Sequence, residues 1–136
     1  SSGTGGASIT ATGSASLAAD TVVFTTAGER ATATSILLQG SSQSATGLVY
    51  GQGVRCAAGV LKRLFTKSAV GGSITVPNFG AGDPTVSARS AAKGDVIAPG
   101  NHREYMVYYR DPTVLGGCPA TSTFNGTDGG TIVWAP

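Results

Sequence analysis

Short runs of β-branched and aromatic residues recur along this chain about every ten to fifteen residues, each bounded by Gly, Pro, Asp or Asn. Signals for helices are nearly absent between them. The candidate strands are Ala7–Thr12, Thr21–Thr26, Ala33–Gln39, Gly47–Tyr50, Val60–Lys67, Ser73–Val76, Thr85–Ser90, Arg103–Arg110 and Thr131–Trp134, with a weaker one at Thr121–Phe124. This spacing predicts an all-β fold of about eight to ten short strands, an antiparallel β-sandwich of the jelly-roll or immunoglobulin-like type.

Two of these runs carry apolar residues on both faces and are therefore predicted to be central strands. Alternate residues of a strand point to opposite faces, and both Val60–Lys67 and Arg103–Arg110 place large apolar side chains at successive positions. The predicted core draws on both sheets and consists of Val22, Phe24, Ile36, Leu38, Leu61, Phe65, Tyr105, Val107, Val133 and Trp134.

The composition favours one folded domain with few charges. The chain has 136 residues, of which 21 are Gly, and its charged fraction of 12% is about half the usual share. Strand-forming Val, Ile, Tyr and Phe are too frequent for a disordered chain. We expect residues 17–136 to form a single β-sandwich domain and residues 1–16 to form an N-terminal strand or arm rich in Gly, Ser and Thr.

The charge pattern argues against nucleic acid and the hydropathy pattern against a membrane span. The net charge is only +2, and the one basic cluster, Lys62, Arg63 and Lys67, is split between the two faces of a strand. No apolar run approaches the ~20 residues of a transmembrane helix. Few charges combined with abundant Ser, Thr and Gly are typical of extracellular proteins, so we expect an extracellular or cell-surface location.

The two cysteines predict a disulfide between Cys56 and Cys118. An even number of cysteines in a secreted chain is typical of a disulfide framework, and this bond would close a loop of about 62 residues, which stabilises by roughly 4 kcal/mol. The alternative is a pair of buried free thiols. His102, the only histidine, lacks ligand spacing to either cysteine, so we expect no metal and no other cofactor.

Catalytic motifs are not evident, and we predict that the chain is not an enzyme. The chain has no GxSxG nucleophile elbow. The acidic residues lie in turn contexts and are not spaced to share a cleft as paired carboxylates; they include Glu29, Asp83, Asp95, Asp111 and Asp128.

Several stretches of the sequence resemble a β-rich domain found at the C-terminal end of large secreted proteins of planctomycete-type bacteria. They are ADTVVFTTAGE (Ala19–Glu29), ILLQGSS (Ile36–Ser42), YGQGVRCAAGVLKRL (Tyr50–Leu64), GDPTVSARSAAKGD (Gly82–Asp95), YMVYYRDP (Tyr105–Pro112), CPATSTFN (Cys118–Asn125) and the terminal Val133-Trp134 pair. The resemblance implies an extracellular, non-catalytic module and supplies no catalytic residues. Such domains usually follow a longer protein through a Cys-rich linker, which this chain lacks, so we expect a free-standing subunit that assembles with itself.

The N-terminal segment is the candidate contact between subunits. The predicted strand comprises Ala7, Ser8, Ile9, Thr10, Ala11 and Thr12, and its only large apolar side chain is that of Ile9. Such a strand needs the open edge of a sheet, either in its own domain or in a neighbouring copy. We therefore expect other copies of the chain as partners, plausibly in a surface filament assembled by strand exchange.

The main alternative is a non-catalytic surface- or carbohydrate-binding module, with surface glycans as partners. It predicts an exposed aromatic patch, for which Tyr50, Tyr108 and Trp134 are candidates, or a calcium site on one sheet. The competing interpretation places these aromatic residues in the core. A hydrolase is the least favoured of the three classes.

Overall fold

The computed structural model describes residues 5–113 and 122–136 of the chain. These ranges contain seven strands, one short 3-10 turn at Phe79–Ala81 and one α-helix. The strands are β1 (Ser8–Thr12), β2 (Val23–Ala27), β3 (Thr34–Tyr50), β4 (Gly53–Ser68), β5 (Thr75–Val76), β6 (His102–Arg110) and β7 (Phe124–Val133), and the helix is α1 (Val86–Ala92).

The strands form two antiparallel sheets, as the spacing of the sequence predicted. The smaller sheet has the order β1-β2-β5 and the larger one the order β4-β3-β6-β7. The strand at Arg103–Arg110 is therefore central, as predicted, whereas the prediction of a central strand at Val60–Lys67 was wrong, because β4 is an edge strand. The main hydrophobic core combines residues of both, such as Phe24 and Val76 from the smaller sheet and Leu37, Phe65 and Val107 from the larger. The architecture is consistent with the predicted all-β sandwich, but the described residues hold seven strands rather than eight to ten.

A long hairpin accounts for part of this difference in strand number. The predicted strands Ala33–Gln39 and Gly47–Tyr50 are one strand, β3, which pairs with β4 along most of its length through several bulges. Bulges bend the strand that carries them, and the backbone N–H of Gln52 at the hairpin tip donates to the carbonyl of Phe124 at the start of β7, at 3.0 Å. The hairpin therefore curls over the outer face of the larger sheet.

The prediction of a strand at Thr85–Ser90 was wrong, because this segment enters helix α1. Thr85 caps the helix, and its hydroxyl accepts from the backbone N–H of Ala88 at 3.3 Å. The carboxylate of Asp20 also accepts from the backbone N–H and the hydroxyl of Ser87, each at 2.7 Å. A capping Thr, helix-forming Ala and Arg residues, and a following Gly94 at φ 79° were the local signals that the strand prediction overlooked.

The predicted core is confirmed at most positions and wrong at Leu61 and Val133, which are 37% and 64% exposed. In the pairing of β3 with β4, Leu37 lies opposite Phe65 but Leu38 lies opposite Arg63, so Leu64 is an extra residue in β4. Because of this bulge, the residues of β4 that precede Leu64 point to the face opposite to the one that strict alternation predicts. This inversion turns Leu61 outward. Val133 directly precedes the fully buried Trp134, and neighbours in a strand cannot share a face.

Two residues of the predicted core belong instead to the outer face of the larger sheet. Ile36 is half-buried, and Leu38 is buried in a second, smaller cluster with Ala57 and Met106. The fully buried Leu37, which lies between them, occupies the main core. The larger sheet thus buries apolar side chains on both faces, because the curled hairpin covers part of its outer face.

Candidate functional site

The predicted N-terminal strand exists as β1, an edge strand of the smaller sheet. It pairs with β2 of the same chain, in a register that runs from Ser8 opposite Ala27 to Thr12 opposite Val23. Only Ile9 of its five residues is half-buried, and the other four are exposed. Ala7 and Ile9 pack on the main core. Its role as a contact between subunits stays a prediction.

The outer edge of β1 faces β7 across a narrow seam. The backbone N–H of Thr26 donates toward β5, to the carbonyl of Ile74 at 3.0 Å, so Ile9 and Thr26 form a pair without hydrogen bonds between them. The N–H of Ile9 accordingly points away from β2, and it donates to Oδ1 of Asp128 in β7 at 2.7 Å. One carboxylate of β7 therefore accepts from a backbone donor on the outer edge of β1.

The packing beneath β1 is incomplete. A cavity of about 70 Å³ lies in the seam, lined by side chains that include Ile9, Phe24, Tyr105 and Ile132. A space of this size holds more than one water molecule. The side chain of Ile9 thus fills the gap between the two sheets only in part, and the apolar contact that anchors β1 is small.

Glycine residues bound the segment that contains β1. Gly13 has φ 92°, and a Cβ built there would lie 2.1 Å from the carbonyl oxygen of Thr21, so no other residue fits without a shift of the backbone. Beyond Gly13 the chain is tied down: Ser14 N–H donates to Oγ1 of Thr21, and Leu17 N–H donates to the carbonyl of Ala135, both at 2.9 Å. Gly13 therefore separates β1 from a segment that is fixed to the rest of the domain.

A second candidate site lies on the outer face of the larger sheet, where five side chains form what we call the aromatic–arginine surface: Tyr50, Arg55, Arg63, Tyr108 and Phe124. The Tyr50 ring lies 5.6 Å from the Tyr108 ring and 5.0 Å from the Phe124 ring, centroid to centroid, in edge-to-face arrangements. Aromatic pairs favour this geometry. The curled hairpin brings Tyr50 and Arg55 to the strands that carry Tyr108 and Phe124.

Two guanidinium groups stack on these rings. The Arg55 guanidinium carbon lies 5.0 Å from the centroid of Tyr50, and that of Arg63 lies 5.8 Å from the centroid of Tyr108. Burial and the neighbouring Tyr108 raise the pKa of Tyr50, against the opposing effect of the two arginines. The Tyr50 hydroxyl is thus neutral at neutral pH, beside two positive charges.

The arginine charges are not neutralised by the carboxylates of the described residues. The ion pairs found within residues 5–113 and 122–136 join Lys67 to Asp83 and Arg103 to Asp95. Nε and Nη1 of Arg55 are buried, and neither has a hydrogen-bond partner in this part of the chain. Buried donors are nearly always paired in folded proteins, so the Arg55 guanidinium is the polar group on this surface that lacks an acceptor.

Sequence reasoning anticipated part of this surface. Tyr50 and Tyr108 were candidates for an aromatic patch and do lie on it, half-buried, whereas Trp134 lies fully buried in the core. Phe124 and the two arginines were missed. Only the return of the hairpin tip to β7 brings them together, and no local pattern in the sequence encodes that contact.

The other residues that the sequence singled out are the two cysteines and the only histidine. Cys56 is an exposed position of β4, while Cys118 lies outside the described residues, so the disulfide stays a prediction. His102 is exposed at the start of β6. Across residues 5–113 and 122–136, no group of three or more His, Cys, Asp or Glu side chains is placed to hold a metal ion. No helix in these ranges has the length and apolar character needed to cross a bilayer.

Comparisons with known proteins add no relatives to this description. No protein-family model matches the chain, no curated protein is significantly similar to it, and no solved structure matches its fold significantly. The resemblance to a domain of secreted planctomycete-type proteins therefore stays a prediction. The geometry of β1 and of the aromatic–arginine surface is therefore the basis for inferring a function.

Proposed function

We propose that this chain is an extracellular structural subunit that associates with copies of itself by exchange of β1. One observation carries the proposal: β1 is an edge strand with a single half-buried side chain, and it is followed by Gly13 at φ 92°. A strand held in this way contributes little to the stability of its own domain. Edge strands of this kind are also the elements through which chains pair with one another.

Exchange would preserve every contact that β1 makes in the single chain. The strand of one copy would pair with β2 of the next in the same register, from Ser8 opposite Ala27 to Thr12 opposite Val23. Each backbone hydrogen bond contributes roughly 0.5–1.5 kcal/mol net, and the seam pocket would receive Ile9 and fix the register. When every copy gives its strand to the next, the contact is head-to-tail, and it produces an open filament where the rotation between copies does not close a ring.

Deletion of residues 1–12 tests the proposal. The truncated protein should be a folded monomer, because the main core keeps its other elements, and it should no longer polymerise. Deletion of residues 1–5 is the matched control, since it removes part of the arm but leaves β1 in place. Electron microscopy and light scattering measure assembly. Native-like filaments from the 1–12 deletion would show that β1 does not link the subunits.

A second candidate function, a non-catalytic surface- or carbohydrate-binding module, is supported by the aromatic–arginine surface. Half-buried Tyr50 and Tyr108 offer part of their rings to a ligand on the outer face of the larger sheet. Screening the protein against immobilised glycans tests this function. The Tyr108→Ala variant should lose any glycan binding seen with the parent protein, and binding that survives this substitution would place the glycan site elsewhere.

A further inference from the structure

We propose that a groove beside Arg110, at one end of the outer face of the larger sheet, binds a sulfated polysaccharide, with Arg110 as the residue that pairs with a sulfate group. The proposal rests on the second candidate function, the carbohydrate-binding module, and assigns the place and the chemistry of its ligand. It is independent of strand exchange through β1, which belongs to the other sheet.

The Arg110 groove consists of two adjoining pockets that share Thr34 and Arg110. The first pocket has a volume of about 250 Å³ and is also lined by Arg30 and Thr32. The second has a volume of about 260 Å³, and most of its remaining lining is apolar, with Ile36, Tyr108 and Phe124. Together the two pockets fall within the roughly 300–1,000 Å³ that is typical of small-molecule sites.

The register of three strands brings the groove together. Ile36 of β3 lies opposite Tyr108 of β6, and Arg110 of β6 lies opposite Phe124 of β7. Tyr108 and Arg110 are two residues apart in one strand and therefore share a face of the sheet. The Arg110 side chain thus stands beside two aromatic rings, at the end of the aromatic–arginine surface.

Arg110 brings an accessible positive charge to this groove. The residue is exposed, and neither of the ion pairs found within residues 5–113 and 122–136 involves it. Arg30, in the same pocket, is exposed as well. Among the described residues that line the two pockets there is no Asp or Glu, and the carboxylate nearest in sequence, that of Asp111, belongs to a fully buried residue. The charge in the groove is therefore open to an anion from solution.

The donors of the first pocket come from separate parts of the chain. Arg30 and Thr32 precede β3, Thr34 begins it, and Arg110 ends β6. Guanidinium N–H groups and hydroxyls all donate hydrogen bonds. A carboxylate presents two oxygens in one plane, which a single guanidinium fork satisfies, whereas a sulfate ester presents three terminal oxygens that point in different directions. Donors from several elements therefore suit the sulfate ester better.

The second pocket supplies the apolar surface that a sugar ring needs. Tyr108 and Phe124 are half-buried and keep part of their rings exposed beside Arg110. A sugar ring has apolar C–H groups next to its polar edges, so it can pack on such rings while its substituent reaches the first pocket. A sulfated sugar thus matches both pockets at once. The overall charge of +2 is too small to favour a nucleic acid.

The test compares three forms of one sugar chain that differ only in their substituent: sulfated, carboxymethylated and unmodified dextran oligosaccharides. Calorimetry measures their binding to the full chain. We expect the sulfated form to bind more tightly than the carboxymethylated one and at least about tenfold more tightly than the unmodified one. Its binding should weaken as salt is added.

The outcomes separate the ligand from the module. Carboxymethylated dextran that binds as tightly as the sulfated form would overturn the assignment of a sulfate. Unmodified dextran that binds as tightly would overturn the anionic ligand while leaving the carbohydrate-binding module in place. If none of the three forms binds, the proposal fails; binding of a different glycan in the immobilised screen would then support the module alone.

Variants assign the interaction to Arg110. Arg110→Ala should weaken binding of the sulfated form by about tenfold or more and leave the melting temperature unchanged, because the side chain is exposed. Lys93→Ala makes the same change in net charge at the exposed end of α1, lines neither pocket, and should alter affinity less than about twofold. Equal losses for the two variants would reduce the effect to overall charge and overturn the assignment.

Two further measurements complete the test. Arg110→Gln, which keeps a polar side chain without the charge, replaces Arg110→Ala if thermal melting shows that the alanine variant does not fold. Unchanged affinity in either folded variant would overturn the proposal. Tighter binding of poly-glutamate or of single-stranded oligothymidine than of sulfated dextran would assign the groove to another class of polymer and would overturn it as well.

Discussion

Replacement of Gln39 by leucine should destabilise the fold strongly, although leucine is the more apolar residue. Gln39 is fully buried, and its Nε2 donates to Oγ of Ser90 at 2.7 Å and to Oδ2 of Asp95 at 2.8 Å. Its Oε1 accepts from the Tyr105 hydroxyl at 3.0 Å. Asp95 is in turn paired with Arg103 through two hydrogen bonds, at 2.8 and 2.9 Å. The amide thus ties helix α1 and the loop after it to the larger sheet.

The size of the loss in unfolding free energy depends on which hydrogen bonds the partners of Gln39 keep after the substitution. Ser90 still donates to the carbonyl of Asp95, and the Asp95 carboxylate keeps Arg103. The Tyr105 hydroxyl still accepts from Nε1 of Trp134 at 3.3 Å, but its own proton loses its acceptor while it remains buried. A lost hydrogen bond to a carboxylate contributes about 1.5–3 kcal/mol, and a buried O–H donor without an acceptor costs about 1–3 kcal/mol. Together the two terms predict that Gln39→Leu lowers the free energy of unfolding by roughly 2.5–6 kcal/mol.

Urea unfolding, followed by the fluorescence of the buried Trp134, measures this change. Gln43→Leu is the matched control, because Gln43 is an exposed glutamine of the same strand, and it should shift stability by no more than about 0.5 kcal/mol. In the double variant Gln39→Leu, Tyr105→Phe, the loss of unfolding free energy should be smaller than the sum of the losses in the two single variants. The reason is that Tyr105→Phe removes the hydroxyl whose proton Gln39→Leu leaves without an acceptor. A Gln39→Leu protein as stable as the parent would refute the reasoning.

Three further predictions concern covalent and ionisable groups. Intact mass with and without reductant should show a bond between Cys56 and Cys118, and two alkylatable thiols in unreduced protein would contradict it. Burial raises the pKa of Glu29 despite hydrogen bonds from Ser35 and Thr26. The stability that Glu29 contributes to the fold is therefore present below its pKa in the unfolded chain, and it is lost as the pH rises through its pKa in the folded protein. Glu29→Gln should thus raise the melting temperature at pH 8 more than at pH 4, and an equal shift at both would contradict this. The hydrogen bonds from Arg103 lower the pKa of Asp95 despite partial burial. The stability that Asp95 contributes to the fold is therefore present above its pKa in the unfolded chain, and it disappears as the pH falls through its pKa in the folded protein. The difference in stability between Asp95→Asn and the parent should accordingly shrink in acid, as measured by melts from pH 6 to pH 2.

Local patterns predicted the class of fold because alternation and turn residues act over a few positions. The strands around Phe24, Phe65 and Tyr105 lie where their β-branched and aromatic residues indicated, and these side chains are buried. The failure at Thr85–Ser90 was also local, since the capping Thr85 and the following Gly94 were visible but were outweighed by the general β character of the chain.

The geometry of the two candidate sites depends on contacts that no local pattern encodes. The hydrogen bond from Ile9 to Asp128 joins residues 119 positions apart. The aromatic–arginine surface requires bulges in β3 and β4 that bend the hairpin until Gln52 reaches Phe124. The extra residue at Leu64 reverses the face on which the preceding residues of β4 lie. Strict alternation therefore assigned Leu61 to the wrong face of the sheet.

Strand exchange is tested most directly by a cross-link between β1 and β2. Thr10 and Thr25 are exposed and directly opposite each other, in a hydrogen-bonded pair whose Cα separation of about 5.5 Å suits a disulfide. In the Thr10→Cys, Thr25→Cys double variant, oxidation of monomers should lock β1 in its own chain and block assembly until reductant is added. Oxidation after assembly should instead join each copy to the next. Non-reducing gels of oxidised polymer should then show a covalent ladder that the Thr10→Cys single variant lacks; polymers that oxidise only to cross-linked monomers would contradict strand exchange.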